Sequence, residues 1–311
     1  MRAFIFPGQG SQAVGMGKAL AEASGVARAL FQEVDEALGQ NLARLMAQGP
    51  EDELILTENA QPAIMANAVA TLRVLEQEGG LTLDGKADFV AGHSLGEYSA
   101  LCAAGAFDVA TTARLLKLRG RSMQAAVPVG QGAMAALIGL DLEAAQAVAA
   151  EAAQGEVCTA ANDNAPGQVV VSGHRAAIER ALEIAKTHGA KRALLLPVSA
   201  PFHCALMAPA AKAMEQALAE AAMQPPAVPL YANFTAAPVD QPAEIRRLLV
   251  EQVTGMVRWR ESVAAMAEAG VTHFVEFGGK VLGPMVKRIA PDARTTSIVT
   301  MDDIEALAKE I

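Results

Sequence analysis

Residues 92–96, Gly-His-Ser-Leu-Gly, constrain the fold of this chain more than any other stretch. They match G-x-S-x-G, follow an apolar run that predicts a strand at 88–92, and precede an Ala/Leu-rich run that predicts a helix. Glycines on both sides of Ser94 permit a tight, strained turn that points the hydroxyl into a cleft. The next backbone N–H, that of Leu95, would lie at a helix N-terminus and face a developing oxyanion. We therefore expect a nucleophilic serine at a strand-to-helix turn.

Composition narrows the class of protein. The 311 residues carry 25 Lys+Arg and 34 Asp+Glu, a formal net charge of −9. At about 150 residues per domain, this length predicts two domains or one large domain with an insertion. Hydrophobic residues make up 52% and charged residues 19%, which excludes a disordered chain. Only 4% are aromatic, and together with the negative charge this argues against a general nucleic-acid binder.

Cysteine usage and hydropathy indicate the compartment. The 3 cysteines have no C-x-x-C spacing, so neither a disulfide framework nor a zinc knuckle is indicated, and a reducing cytosol fits best. No run approaches the roughly 18 apolar residues of a membrane span. The N-terminus reaches Pro7 and Gly8 too early for a signal peptide. We expect a cytoplasmic protein without a membrane segment.

Hydrophobic periodicity predicts an α/β fold with a mostly parallel sheet and a small α+β insert. Residues 2–6 predict a buried strand, and 17–77 predict several helices, interrupted at Pro50 and Pro62, with no strand. Further strands are predicted near 228–231 and 272–277. The intervening region has the β-α-β-β-α-β order of a split ferredoxin-like unit; its predicted strands are 133–138, 157–161, 168–172 and 192–196, and its predicted helices 141–153 and 175–187. The predicted boundaries are 1–124 with 199–311 for the large domain and 125–198 for the small one.

A serine nucleophile needs a base, and the chain offers five histidines. His93 is held in the turn beside the serine, His174 and His188 flank a predicted surface helix, and His273 begins a predicted strand. His203 lies in a proline-rich loop at the end of the predicted insert, where functional residues are more common. His203 is therefore the preferred base. Its neighbour Cys204 lacks an electropositive setting and is interpreted as structural.

Four segments, in chain order, resemble the malonyl-CoA:acyl-carrier-protein transacylases of bacterial fatty acid synthesis. The segments are 6–12, 92–98, 162–170 and 201–203. The resemblance spans residues 4 to about 290. It implies a large α/β hydrolase-like domain with a ferredoxin-like insert, a fold shared with acyltransferase domains of polyketide synthases. Residues 276–280 depart from the family pattern around two glycines, which predicts a locally rebuilt loop.

The resemblance also implies roles for individual residues. Ser94 corresponds to the nucleophile that becomes malonylated, and His203 to its base. The oxyanion hole corresponds to Gln9 and the Leu95 amide, and Arg119 to the group that binds the malonyl carboxylate. From the residues alone, Arg119 is one of four charges on a helix, with Arg114, Lys117 and Arg121, and a solvated face would be expected. The backbone carbonyl of Gln252 would orient His203, and Phe202 would crowd a branched malonyl.

The implied reaction is ping-pong transfer of malonyl from malonyl-CoA to the phosphopantetheine thiol of an acyl carrier protein. It requires no metal or redox cofactor, and we expect a monomer. Carrier proteins of this kind are acidic, so an acidic enzyme needs a local basic rim for docking. The candidates for that rim are Lys117, Arg121, Lys191, Arg192, Lys280, Lys287 and Arg288.

Two other functions are compatible with the serine motif. An α/β-hydrolase-type serine esterase or thioesterase would use an acid between serine and histidine in chain order, with Asp108, Asp141 and Asp163 as candidates. Such an enzyme should have several strands before the serine, whereas 17–77 predicts helices. A catalytically silent acyl-carrier or CoA-binding module would not need Ser94, His203, Gln9 and Arg119 together.

Overall fold

A computed structural model describes residues 1–311 and contains ten strands, fifteen α-helices and one short 3₁₀ helix, Ala205–Met207. The strands are β1 (Arg2–Phe6), β2 (Phe89–Gly92), β3 (Gly132–Ile138), β4 (Cys158–Ala165), β5 (Gln168–His174), β6 (Arg192–Leu195), β7 (Leu230–Ala232), β8 (Ala237–Val239), β9 (His273–Phe277) and β10 (Arg294–Ile298). The helices are α1 (Lys18–Ala23), α2 (Gly25–Leu38), α3 (Leu42–Gln48), α4 (Glu51–Leu54), α5 (Thr57–Gly79), α6 (Leu83–Lys86), α7 (Gly96–Ala103), α8 (Val109–Ala126), α9 (Leu142–Ala153), α10 (Arg175–Thr187), α11 (Ala208–Glu220), α12 (Pro242–Thr254), α13 (Trp259–Glu268), α14 (Leu282–Ile289) and α15 (Met301–Glu310). No helix is both long and apolar enough to cross a membrane.

The larger sheet has six strands in the order β10-β9-β1-β2-β7-β8. All neighbours pair in parallel except β7 and β8, which form an antiparallel hairpin. Helices cover both faces, so β1 and β9 are apolar along nearly their whole length and almost fully buried. Because Phe6 is in register with Gly92, the loops after β1 and β2 leave the same edge of the sheet. That edge brings the two N-terminal motifs together.

The smaller sheet is antiparallel, in the order β4-β5-β3-β6. Helices α9 and α10 pack on it, and a separate core of 15 buried residues lies between them. The β-α-β-β-α-β order and this strand order are those of a ferredoxin-like unit, as predicted. Residues Ala161 and Asp163 hydrogen-bond to the backbone of Val257, which ties β4 to the segment before α13. The exact limits of the two predicted domains stay a prediction.

The region between β1 and β2 is helical, as its periodicity predicts, but the interruption expected at Pro62 was wrong. Helix α5 runs from Thr57 through Pro62 to Gly79 without a break. A proline there removes one hydrogen bond, to the carbonyl of Glu58 in the first turn. Burial outweighs that loss, because α5 lies at the centre of a core cluster of 59 buried residues.

Candidate active site

Ser94 stands on a strained turn at the carboxyl end of β2. Its φ of 55° lies in the left-handed region, which is costly for a residue with a Cβ. Close packing explains both glycines of the motif. A Cβ at Gly92 would lie 1.9 Å from the carbonyl of Gly96, and one at Gly96 would lie 2.3 Å from the carbonyl oxygen of Phe6. The motif therefore has the strand-to-helix setting predicted for it.

His203 is brought to Ser94 from a distant part of the chain. Its Nε2 lies 2.8 Å from Ser94 Oγ, and its Nδ1 lies 2.8 Å from the backbone oxygen of Gln252. His203 is 3% exposed and also has a left-handed backbone, with φ of 56°. A histidine that donates from Nδ1 to a carbonyl presents the lone pair of Nε2 to the serine hydroxyl. The pair has the geometry of a nucleophile and its general base.

The acids that a hydrolase triad would need are used elsewhere. Asp108 accepts from the N–H of Thr111 and caps α8, and Asp141 caps α9 in the same way. Asp163 pairs with Arg260 at 2.8 Å. None of the three hydrogen-bonds to His203, whose orienting group is a backbone carbonyl.

Arg119 is buried beside Ser94, contrary to the solvated face that its helix suggests. It is 1% exposed, and its Nη2 lies 3.2 Å from Ser94 Oγ. It also donates to the side-chain oxygens of Gln61 and Gln252, each at 2.8 Å, and its Nε has no partner. The guanidinium lies 5.7 Å from the centre of the Tyr98 ring. Burial lowers the pKa of Arg119.

The two groups expected to hold an oxyanion lie at the same sheet edge. The N–H of Leu95, just before α7, donates no hydrogen bond within the protein. Gln9 follows β1, and its side-chain oxygen accepts from Thr57 at 3.1 Å, which leaves its NH2 group unused. Gly8 packs against the turn at Ser94 so closely that a Cβ on Gly8 would lie 2.6 Å from the carbonyl oxygen of His93. The role of the Leu95 N–H and the Gln9 amide as an oxyanion hole stays a prediction.

Burial governs the electrostatics of the base. Burial and the positive charge of Arg119 lower the pKa of His203 to about 3. His203 is therefore neutral, as a general base must be, over the whole physiological range. Burial also lowers the pKa of His93, whose Nε2 lies 2.7 Å from Asn164 Oδ1 on β4.

A buried polar network behind Ser94 was not predicted from the sequence. The side-chain oxygen of Asn233, which follows β7, accepts from the Ser94 N–H at 2.8 Å, and its amide donates to the Gly92 carbonyl at 2.7 Å. The Gln252 amide donates to the Ser94 carbonyl at 2.9 Å and to Glu97. Glu97 follows the G-x-S-x-G motif directly, and that position was the one available signal in the sequence.

Six of the seven basic residues predicted to form the docking rim are exposed, and one is buried. Lys117 is 8% exposed, 3.1 Å from Glu58, and bonded to Gln40 and Asn59, so its prediction as a docking residue was wrong. Its helix turns it into the protein because α2 and α5 pack on that face. The other six candidates are exposed; they are Arg121, Lys191, Arg192, Lys280, Lys287 and Arg288.

The remaining predicted groups lie as follows. Phe202 is buried next to His203. The three cysteines, Cys204 among them, are free and buried. No group of three or more His, Cys, Asp or Glu side chains is arranged to hold a metal ion.

A parallel sheet with a serine–histidine pair at its carboxyl edge is typical of enzymes that move acyl groups through a serine ester. The acyl transferase domain family matches residues 3–279, and the chain belongs to that family. Within it, the chain is 47% identical to the malonyl CoA-acyl carrier protein transacylase of Escherichia coli K12 over 311 residues, or 99% of each protein.

Solved structures agree with this assignment. The acyl-carrier-protein S-malonyltransferase of Bartonella henselae is 52% identical, with a TM-score of 0.97 over 99% of this chain and 98% of that one. A malonyl-transacylase solved in complex with a type II polyketide synthase acyl-carrier protein is 41% identical. Its TM-score is 0.96 over 100% of this chain and 99% of that one.

Proposed function

We propose that this chain transfers malonyl from malonyl-CoA to the phosphopantetheine thiol of an acyl carrier protein, supplying extender units for fatty acid synthesis. It is an acyltransferase by family. The observation that carries the substrate assignment is the buried Arg119, 3.2 Å from the hydroxyl of Ser94 and without a carboxylate in contact. A thioester whose acyl group ends in a carboxylate supplies that missing partner.

The first half-reaction forms an ester on Ser94. His203 takes the hydroxyl proton as Ser94 Oγ attacks the thioester carbonyl, and the oxyanion accepts hydrogen bonds from the Leu95 N–H and the Gln9 amide. The tetrahedral intermediate collapses, the C–S bond breaks, and His203 returns the proton to the leaving CoA sulfur. In the second half-reaction the carrier thiol gives its proton to His203 and attacks the ester. Ser94 leaves with that proton, so the two steps balance without a cofactor.

Malonyl preference follows from the environment of Arg119. An acetyl group would leave the buried guanidinium without an anion, and sites built around a polar partner reject analogues that lack it by roughly 10⁴-fold. Arg119 can hold both oxygens of a carboxylate, because its planar fork matches their spacing.

The carrier protein would dock on the exposed basic side chains. Lys191 and Arg192 lie at the edge strand of the small sheet, and Lys287 and Arg288 lie in the last turn of α14. An acidic partner is attracted to such a rim although the chain as a whole has a net charge of −9. The free cysteines fit the proposed cytoplasmic location.

The test is transfer of radiolabelled malonyl from CoA to purified holo carrier protein. We expect wild type to transfer the label and Ser94→Ala to transfer none, with a malonyl adduct on Ser94 in mass spectra of wild type alone. Ser99→Ala is the matched control. Ser99 is also a buried serine near the start of α7, but its hydroxyl has no partner, so transfer should persist.

Two outcomes would overturn the proposal. Label released only as free malonate would make water the acceptor and support a hydrolase. Binding of malonyl-CoA without an adduct on Ser94 would support a silent binding module.

A further inference from the structure

Glu97 is a buried carboxyl group that the reaction described above does not use. It lies in the first turn of α7 and is 2% exposed. One of its oxygens accepts from the backbone N–H of Asn233 at 2.7 Å, and the other accepts from the side-chain amide of Gln252. The same amide of Gln252 contacts Arg119 through its oxygen at 2.8 Å.

We propose that Glu97 is a positioning residue: its carboxylate sets the direction of the Gln252 amide, and that amide holds Arg119 beside Ser94. The inference rests on the proposed function and adds to it the origin of malonyl selectivity.

The direction of the Gln252 amide follows from its neighbours. Its NH2 faces Glu97 and the carbonyl of Ser94, which accept, and its oxygen faces Arg119, which only donates. A reversed amide would set NH2 against the guanidinium and oxygen against three acceptors, since the side-chain oxygen of Asn233 also lies 3.3 Å from the Gln252 nitrogen. Each buried mismatch leaves polar groups unsatisfied, so the observed direction is the stable one.

A carboxylate is needed at position 97 because each of its two oxygens accepts a hydrogen bond from a donor. The Asn233 N–H belongs to the backbone and cannot be reversed, so one side-chain oxygen must face it. A glutamine at this position would satisfy Asn233 with its oxygen and present NH2 to the NH2 of Gln252. The two NH2 groups would repel, the Gln252 amide would move from its position, and Arg119 would lose the well-placed acceptor that the Gln252 oxygen supplies.

The ionised carboxylate is the form that accepts on both sides. Burial raises the pKa of Glu97 to about 8, while the hydrogen bonds from Asn233 and Gln252 and the charge of Arg119 act in the opposite direction. Arg119 and Tyr98 are the titratable groups that interact with it. Selectivity is therefore best measured at about pH 9, where the ionised form of Glu97 predominates.

The experiment compares kcat/KM for malonyl-CoA and for acetyl-CoA in wild type, Glu97→Gln, Arg119→Ala and the double variant. We expect Glu97→Gln to lower the malonyl-to-acetyl ratio by about 10- to 100-fold, the usual size of a lost charged hydrogen bond. Acetyl-CoA activity should change much less. In the Arg119→Ala background Glu97→Gln should leave the ratio unchanged, because both variants remove the same interaction.

Glu276→Gln is the matched control. Glu276 is also buried, at 1% exposed, and accepts from the backbone N–H groups of Val281, Leu282 and Gly283 at 2.8 to 3.0 Å. None of its hydrogen bonds reaches Ser94, His203, Arg119 or Gln252, so this variant should lower thermal stability and keep the malonyl-to-acetyl ratio.

An unchanged malonyl-to-acetyl ratio in folded Glu97→Gln would overturn the inference. It would also be overturned if Glu97→Gln lowered that ratio as much in the Arg119→Ala background as in wild type. If Glu97→Gln does not fold, Gln252→Met tests the same link, with the same loss expected and an unchanged ratio contradicting it. A wild type without Ser94-dependent malonyl transfer would instead refute the proposed function.

Discussion

Lys117 and Arg119 are two buried cations on one helix, and their surroundings differ in kind. Lys117 lies 3.1 Å from the carboxylate of Glu58. Its ammonium also donates to the side-chain oxygens of Gln40 and Asn59, each at 2.8 Å. Protein groups thus supply Lys117 with both a counter-charge and acceptors.

Arg119 has acceptors but no anion in contact. Its partners are two glutamine oxygens and the hydroxyl of Ser94, and its Nε donates to nothing. A buried charge without a contacting counter-charge is costly. We infer from this difference that Lys117 has a structural role, whereas Arg119 has room for the anionic group that the proposed function supplies.

Removing the guanidinium should give the largest effect. In Arg119→Ala we expect kcat/KM for malonyl-CoA to fall by roughly 10³- to 10⁴-fold, because the malonyl carboxylate would be buried without a partner. Steady-state kinetics with malonyl-CoA and acetyl-CoA measure this. A similar loss for both substrates would mean that Arg119 supports the fold or the nucleophile instead.

The charge of Arg119 should also be visible in the pH dependence. With the pKa of His203 lowered to about 3, kcat/KM for acetyl-CoA should stay level as the pH falls through 6.5, the ordinary value for histidine. Arg119→Met removes one of the charges that lower the pKa of His203. The pKa of His203 should therefore rise, and the fall of kcat/KM on the acid side should move to higher pH. Lys117→Met should leave that fall at the same pH. An equal shift in both variants would contradict the claim that Arg119, and not Lys117, acts on the pKa of His203.

Lys117→Met should affect stability and spare selectivity. We expect a loss of about 1–3 kcal/mol in the free energy of unfolding, because the partly buried Gln40 oxygen and the buried Asn59 oxygen each lose a charged donor. Urea denaturation measures the loss, and the malonyl-to-acetyl ratio serves as the control. A changed ratio would contradict a purely structural role.

Arg121→Ala should have the smallest effect. Arg121 bonds Glu58 at 2.9 Å, but its side chain is 65% exposed. Exposed ion pairs contribute less than about 1 kcal/mol and weaken as salt rises. A loss as large as that in Lys117→Met, measured by the same urea titration, would show that exposure does not separate these two partners of Glu58.

Local signals in the sequence were sufficient for much of the fold. Helix α10 has the predicted limits 175–187, and the small domain has its predicted β-α-β-β-α-β order of elements along the chain, because apolar periodicity is strong there. Strands β8 and β10 were not predicted. β8 is three residues long and includes a proline, and β10 carries mostly polar side chains.

In the candidate site, too, the features set by local sequence were predicted and those set by distant contacts were not. The turn at Ser94 is local, so its motif predicts it. The burial of Arg119 depends on which face of α8 meets α5, and the helix carries four basic residues at spacings that allow a solvated face. Only the family resemblance singled out Arg119. Glu97 and Asn233 were missed because their partners lie 155 and 139 residues away in the chain.

The carbonyl behind His203 bears on the lifetime of an ester at Ser94. A carbonyl carries a partial charge, so an imidazolium formed there gains less stabilisation than it would beside a carboxylate. Thiols, with a pKa of about 8.5, give up a proton to such a weak base far more readily than water, at about 15.7. The ester would thus persist in the presence of solvent and react when a thiol arrives. The acidity of the acceptor then favours transfer to a thiol over hydrolysis of the ester by water.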